Sequence, residues 1–399
     1  MFHARFAFFL FLLIPCALTP VVGQEESPRA GASPSSVDQS LPGVKDWTAY
    51  RGGLGADGFS HSRRPEYGSM KLKWKYWTGA NQSGTPAVGD GILVIGTEDG
   101  DLHGVHIHDG TKAWSTLVGP RVVGKGIVVS SPLILDGMTY VGNKAGILSA
   151  VHLKTGEIAW QYQVPGTKPE IYSSPRGDAR GIVFGVVDGS TGKVICLHPK
   201  TGEVIWTAHP RREVGASAAI FGDGVYIPAK DRILYELDYK TGKVRRELAL
   251  PGTTHGTPAL GLGMAYVMVG SGELAGIDLV TGETAFTVTP AGDDKSTLAT
   301  SGKRLFVPTG RDLIARDPLT GAVQWKFTTS HKVGPPCAVG EDVIFATNAG
   351  FVFAVDKDGR ELFKIDLGEP FHSGPIVVDG VIYVAAAGMR SGFHVYALQ

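Results

Sequence analysis

The side chains best suited to chemistry fall into three groups. His103, His106 and His108 sit on one short apolar stretch. On a strand, His106 and His108 share a face and His103 points to the other. Two imidazoles on one face can begin a metal site, but the third ligand has to come from elsewhere. The cysteines are Cys16, Cys196 and Cys337, with no Cys-x-x-Cys pair, so zinc and thioredoxin-type readings fall away. The third group is Gln82, Tyr172, His255, Lys295, Arg311 and His372. These lie on loops that a repeated unit brings to one mouth of a central channel. Their spacing makes no nucleophile, base and orienter set. They read as polar residues solvating the mouth, with a small-molecule or peptide site as the alternative. No Gly-rich phosphate loop is present, because the Gly pairs belong to hairpins rather than to helix starts.

What positions these residues is a repeat. Lys154-Thr155-Gly156-Glu157-Ile158-Ala159-Trp160 returns as Lys200-Thr201-Gly202-Glu203-Val204-Ile205-Trp206. Weaker copies place the turn glycines at Gly110, Gly156, Gly202, Gly242, Gly282, Gly321 and Gly359. Successive spacings are 46, 46, 40, 40, 39 and 38 residues. A period of about 40 residues with strand-like content is the signature of a β-propeller blade. Each unit opens on small residues such as Ser130-Ser131-Pro132 or Gly256-Thr257-Pro258. A strand, an Asp-Gly hairpin, two further strands and an outer strand follow. Asp90-Gly91, Asp136-Gly137, Asp223-Gly224 and Asp379-Gly380 mark the first hairpin.

The Thr-Gly turn has its own chemistry. Gly takes the left-handed backbone angle without steric cost. Four residues earlier stands a capping side chain: Asp238, Asp278 or Asp317 in three units, His106, His152 or His198 in three others. That assigns His106 a structural role. Four residues after the Gly comes a large ring, Trp114, Trp160, Trp206, Phe286, Trp325 or Phe363, replaced once by Arg246. Each ring is expected to cover the seam to the next blade, removing roughly 150–250 Å² from water.

The ring closes between the two ends of the repeat array. The last unit stops after its third strand, His394 to Gln399, while Leu72-Lys73-Trp74-Lys75-Tyr76 is an outer strand without a unit. Seven complete units and these two parts make an all-β, eight-bladed propeller of four-stranded antiparallel blades over residues 72–399. The amino-terminal strand completes the last blade and leaves no open edge. Trp74 is its seam ring.

Residues 1–23 read as a secretory signal. Arg5 forms the basic region, Phe6 to Ile14 is too short an apolar run to span a bilayer, and cleavage falls after Gly23. Cys16 raises lipid attachment, which Pro15 disfavours. Residues 24–45 read as a disordered tether. Residues 46–71 form a cap segment, with Trp47 and Tyr50 packing outside or at one end as a lid and Arg51 held by backbone carbonyls. Lys+Arg 38 balance Asp+Glu 38, which excludes the basic footprint that nucleic acid requires. No transmembrane segment is expected in the mature chain, which reads as a monomer.

Ala315-Arg316-Asp317-Pro318-Leu319-Thr320-Gly321-Ala322-Val323-Gln324-Trp325 resembles the Ala-x-Asp-x-x-Thr-Gly-x-x-x-Trp repeat of the pyrroloquinoline quinone (PQQ) propeller superfamily. Ala150 to Trp160 is similar to it except at His152. Asp46-Trp47 to Arg51-Gly52 resembles the Trp-x-x-x-Arg-Gly opening of its secreted bacterial members. The superfamily has two functional branches. Quinoprotein dehydrogenases are longer and carry a calcium or lanthanide site from Glu, Asn and Asp, a Trp under the quinone, and often a bridge between adjacent cysteines. The other branch is non-catalytic and includes the lipoprotein subunit of the outer-membrane β-barrel assembly machine. Here no two cysteines are adjacent, and the seven tryptophans are used by the cap segment, the outer strands and Trp77. The resemblance therefore implies the propeller and weighs against PQQ with calcium. The expectation is an exported envelope scaffold that binds a protein or peptide, with a quinone-dependent oxidoreductase as the alternative.

Overall fold

The computed structural model describes residues 46–82, 84–121, 126–270, 272–290, 297–387 and 393–399. The expected leader, the tether, Cys16 and Lys295 lie outside the described residues. Strands form eight sheets, each built around a four-stranded antiparallel meander. The blades occupy residues 87–117, 133–163, 176–208, 219–249, 259–288, 299–328, 337–366 and, for the eighth, 376–398 with 72–77. The only helix among the described residues is a 3-10 turn, Tyr67–Ser69.

The amino-terminal strand completes the last blade, as expected. Leu72 pairs with Leu398, Trp74 with Ala397, Lys75 with Tyr396, Tyr76 with Val395 and Trp77 with His394. Lys71 and Gln399 exchange two backbone hydrogen bonds of 2.9 Å that extend the ladder. The core lies at the seams. Val94 and Leu102 of the first blade pack with Ile134, Val141 and Val151 of the second.

The hairpins follow the expected chemistry with one shift. Asp90, Asp136 and Asp379 take φ of 48–50°, each followed by a glycine at positive φ, the type I′ pattern. In the fourth blade the positive φ belongs to Gly222, and Gly224 already starts a strand. The turn there is centred one residue before Asp223-Gly224.

At the outer turns Asp238, Asp278 and Asp317 each accept backbone N–H bonds through Oδ1, from Thr241 (2.8 Å), Val280 (2.7 Å) and Thr320 (2.9 Å) among others. His198 accepts the equivalent bonds at Nδ1, 3.3 Å from Lys200 N and Thr201 N. The rings sit where a seam ring must. The indole N–H groups of Trp74, Trp114, Trp160, Trp206 and Trp325 donate to carbonyls of the next blade, Ile107, Leu153, Pro199, Tyr239 and Lys357, at 2.8–3.1 Å. Phe286 covers Gly321, and Phe363 stacks on Tyr67 of the cap segment at 6.4 Å.

The cap segment does not pack on the outside, although Tyr50 does reach one mouth of the channel. It runs inside the channel and meets the innermost strand of every blade in ring order. Trp47 exchanges backbone bonds with Val88 (2.8 and 2.9 Å) in the first blade, and Thr48 O accepts from Ile134 N (2.6 Å) in the second. Tyr50 O and Gly53 O accept from Arg176 in the third. Leu54 O, Gly55 O, Asp57 O and Gly58 O then accept from Ile220, Leu260, Thr300 and Ala338 at 2.8–2.9 Å. Phe59–Ser60 pairs in parallel with the first strand of the seventh blade, and Ser60 Oγ donates to Val377 O (2.7 Å) in the eighth. An outside position would leave the inward backbone groups of those strands without partners, which burial forbids. We call residues 46–60 the collar.

Candidate functional site

Each blade enters its first strand through a short linker, and these linkers ring one mouth of the channel. The residue just before the proline position repeats as a hydroxyl: Thr85, Ser131, Ser174, Ser217, Thr257 and Thr297. They form a hydrogen-bonded necklace. The N–H of Thr85 donates to Ser131 Oγ (2.8 Å), that of Ser131 to Ser174 Oγ (2.9 Å), that of Ser174 to Ser217 Oγ (2.8 Å) and that of Ser217 to Thr257 Oγ1 (3.3 Å). The seventh and eighth blades interrupt the series with Pro335 and Gly374.

The necklace encloses a cavity of about 190 Å³, also lined by Tyr50, Tyr172, His255 and His372. Of the six residues expected at the mouth, Tyr172, His255 and His372 stand two positions before the necklace residue and do line it. Gln82 stands three before, is buried, and donates to Thr78 Oγ1 at 2.5 Å instead. Arg311 is exposed on a hairpin of the sixth blade and does not line the cavity. Lys295 lies outside the described residues. Tyr172 donates to Glu170 Oε2 (3.2 Å), and burial with that carboxylate pushes its phenol up.

Sequence reasoning named Tyr50 only as a ring packing outside or at one end, and it missed the necklace, although the recurring hydroxyl before proline was there to be found. One residue deeper, Arg51 is held by backbone carbonyls, as expected from the sequence, while Arg176 was not singled out there. Arg51 is 4% exposed; its Nη1 donates to Pro336 O (2.7 Å) and its Nη2 to Leu298 O, the residues following the mouth-lining Pro335 and Thr297. Arg176 is fully buried beneath Ser174 and grips Tyr50 O and Gly53 O. Burial pushes Arg51 down and Arg176 down to about 10. Asp57, which accepts from Phe59 N (3.1 Å), is the nearby carboxylate, and burial pushes it up.

The histidine cluster does not converge. His103 is buried and its Nδ1 meets Tyr76 Oη at 3.0 Å, with burial pushing its pKa down. His106 and His108 are exposed, His108 against Asp109 (3.3 Å). Among the described residues no three His, Cys, Asp or Glu side chains group as metal ligands. Cys196 and Cys337 are free and buried in the third and seventh blades, and burial pushes both thiols up to about 12. No helix among the described residues is long and apolar enough to cross a membrane.

The repeat, the eight sheets and the closing strand define a propeller of the PQQ-like class. The chain matches the family described as outer membrane protein assembly factor BamB over residues 66–184, 190–332 and 309–399, and it belongs to that family. It is similar to BamB from Moraxella catarrhalis, with a TM-score of 0.69 at 18% identity, covering 83% of this chain and 99% of that one. The quinohemoprotein alcohol dehydrogenase ADHIIG from Pseudomonas putida HK5 has a TM-score of 0.76 at 14% identity, over 89% of this chain and 80% of that one. A europium-containing methanol dehydrogenase has a TM-score of 0.75 at 13% identity, over 90% and 98%. At these identities the structural likenesses concern the fold alone. No curated protein matches this chain.

Proposed function

We propose that the protein is an exported, non-catalytic scaffold that holds a protein partner in the cell envelope during outer-membrane protein assembly. Membership of the assembly-factor family along almost the whole propeller carries this reading. Two features of the site support it. The collar lines the inner strands of the channel, and among the described residues no aspartate, glutamate or asparagine lines the mouth to hold a calcium ion. The cavity of about 190 Å³ is also smaller than the roughly 300–1,000 Å³ of pockets that take drug-sized ligands. Both features speak for the scaffold over a PQQ and calcium site.

The second reading is a quinone-dependent oxidoreductase, favoured by the dehydrogenase-like fold. Deleting the gene in its host separates the two. The scaffold reading expects a fall in outer-membrane β-barrel proteins, and no dye reduction by the purified protein given PQQ, calcium and an alcohol. Unchanged barrel content with dye reduction would establish the oxidoreductase. Export belongs to the same proposal: mass spectrometry should find a mature chain starting near Gln24, and a diacylglyceryl group on Cys16 would replace that with a lipoprotein.

A further inference from the structure

We propose that the channel mouth is a binding site for a compact carboxylate, supplied by a free small acid or by the C-terminus of a bound peptide. The donor set carries the inference. Ser131, Ser174, Ser217 and Thr257 each already accept a backbone N–H from the preceding blade. A hydroxyl that accepts in this way has its own proton left to give. Four such hydroxyls line one cavity, beside the imidazoles of His255 and His372 and the phenol of Tyr50, and among the described residues no carboxylate lines it.

The charge beneath the floor agrees. Arg51 holds the carbonyls of Leu298 and Pro336, each one residue below a mouth-lining residue, and Arg176 holds the carbonyl of Tyr50, which itself lines the mouth. One residue of strand is about 3 Å. Among the described residues, two guanidiniums stand against the single carboxylate of Asp57 and leave a net positive charge under the cavity, at low dielectric where it acts strongly. The Nε of both arginines is buried without a partner. That excess matches a monoanion. Phosphate is the poorer match, because the lining offers no guanidinium for the bidentate grip that favours it. The cavity volume suits the end of a chain rather than a cofactor.

The purified full chain tests this independently of any assembly phenotype. Isothermal titration would compare acetyl-Gly-Ala-Ala with a free carboxylate, the same peptide as its amide, sodium acetate and inorganic phosphate. The free acid should saturate one site, with the amide at least about tenfold weaker, the size of a lost hydrogen bond to a charged group. Acetate should compete. Saturation by acetate without peptide binding would also support the site and assign it to a free acid. Gly215→Phe is the blocking variant: a Cβ there meets nothing closer than Val187 at 3.8 Å and His255 at 3.9 Å, so a ring fits into the mouth. It should lose at least about tenfold in affinity with an unchanged melting temperature. Ser174→Ala with Ser217→Ala should weaken binding through the necklace itself. Equal binding of acid and amide, tighter binding of phosphate than of acetate, or no saturable binding of either carboxylate overturns the proposal.

Discussion

At the residue scale, the turn glycines do two jobs, and the structure separates them. Gly137 and Gly202 share a φ of +73°. A Cβ at Gly137 meets nothing within 4 Å, whereas one at Gly202 lies 2.7 Å from the Trp160 ring of the preceding blade. Gly137→Ala therefore measures the backbone term alone, roughly 1–2 kcal/mol for a left-handed residue with a side chain. Gly202→Ala must also lift a packed indole, adding roughly 1–3 kcal/mol. Urea melts of the two variants should differ by that second amount, and equal losses would show that the indole does not rest on the turn. The left-handed need of these glycines was legible in the sequence, because a turn is local. The ring lying on the glycine was legible only as a seam-covering aromatic, since the glycine under it belongs to the next unit.

At the scale of the element, the exception at Arg246 follows a rule that alignment of the units alone did not expose. The seam ring always faces a small residue on the third strand: Gly104 faces Trp114, Ala150 faces Trp160, Cys196 faces Trp206, Gly276 faces Phe286 and Ala315 faces Trp325. Opposite Arg246 stands Glu236, and Arg246 Nε donates to its Oε2 at 2.5 Å. Arg246 Nη2 then donates to Leu279 O (2.5 Å), taking over the bond that an indole N–H makes in other blades. Arg246→Trp alone should destabilise by several kcal/mol, because it crowds and strands a buried carboxylate; breaking such a pair costs about 3–5 kcal/mol. Glu236→Ala alone should do the same from the other side. The double variant rebuilds the usual ring-over-small-residue seam and should recover most of the loss. Chemical denaturation in a double-mutant cycle checks this, and additive losses would mean that the two positions do not form one unit. Blades, hairpins and closure could be read ahead of the structure because alternation and a period of about 40 residues are carried by neighbouring residues. At the mouth, Tyr172, His255 and His372 could be read from their place in the linker. Gln82 sits one position off that place, and so turned to Thr78.

At the scale of the whole molecule, the collar changes what holds the ring together. Its path was illegible, apart from Arg51, because its partners are backbone groups in seven blades and the Arg176 side chain in the third, which leave no repeating side-chain pattern. Three truncations distinguish its contribution from that of the closing strand. A chain beginning at Asp46 should melt like the full chain, because every collar contact is kept. A chain beginning at Ser62 keeps Leu72–Trp77 in the eighth blade, yet it strips Arg176 of both its carbonyl acceptors and the inner strands of their backbone partners. A buried donor left without a partner costs about 1–3 kcal/mol, and more when charged. Several such groups together approach the roughly 5–15 kcal/mol of a typical net stability. Replacing Arg176 by Met in that chain should recover part of the loss, since it removes the stranded charge. A chain beginning at Thr78 also loses Trp74 and the outer strand, which leaves His394–Leu398 as an unpaired edge. Such an edge templates aggregation, so this chain should be mostly insoluble. Melting followed by circular dichroism, with soluble yield measured alongside, orders the three. Equal melting of the chains from Asp46 and Ser62 would reduce the collar to a passenger in the channel. A soluble, fully stable chain from Thr78 would show that the eighth blade does not need the strand that closes it.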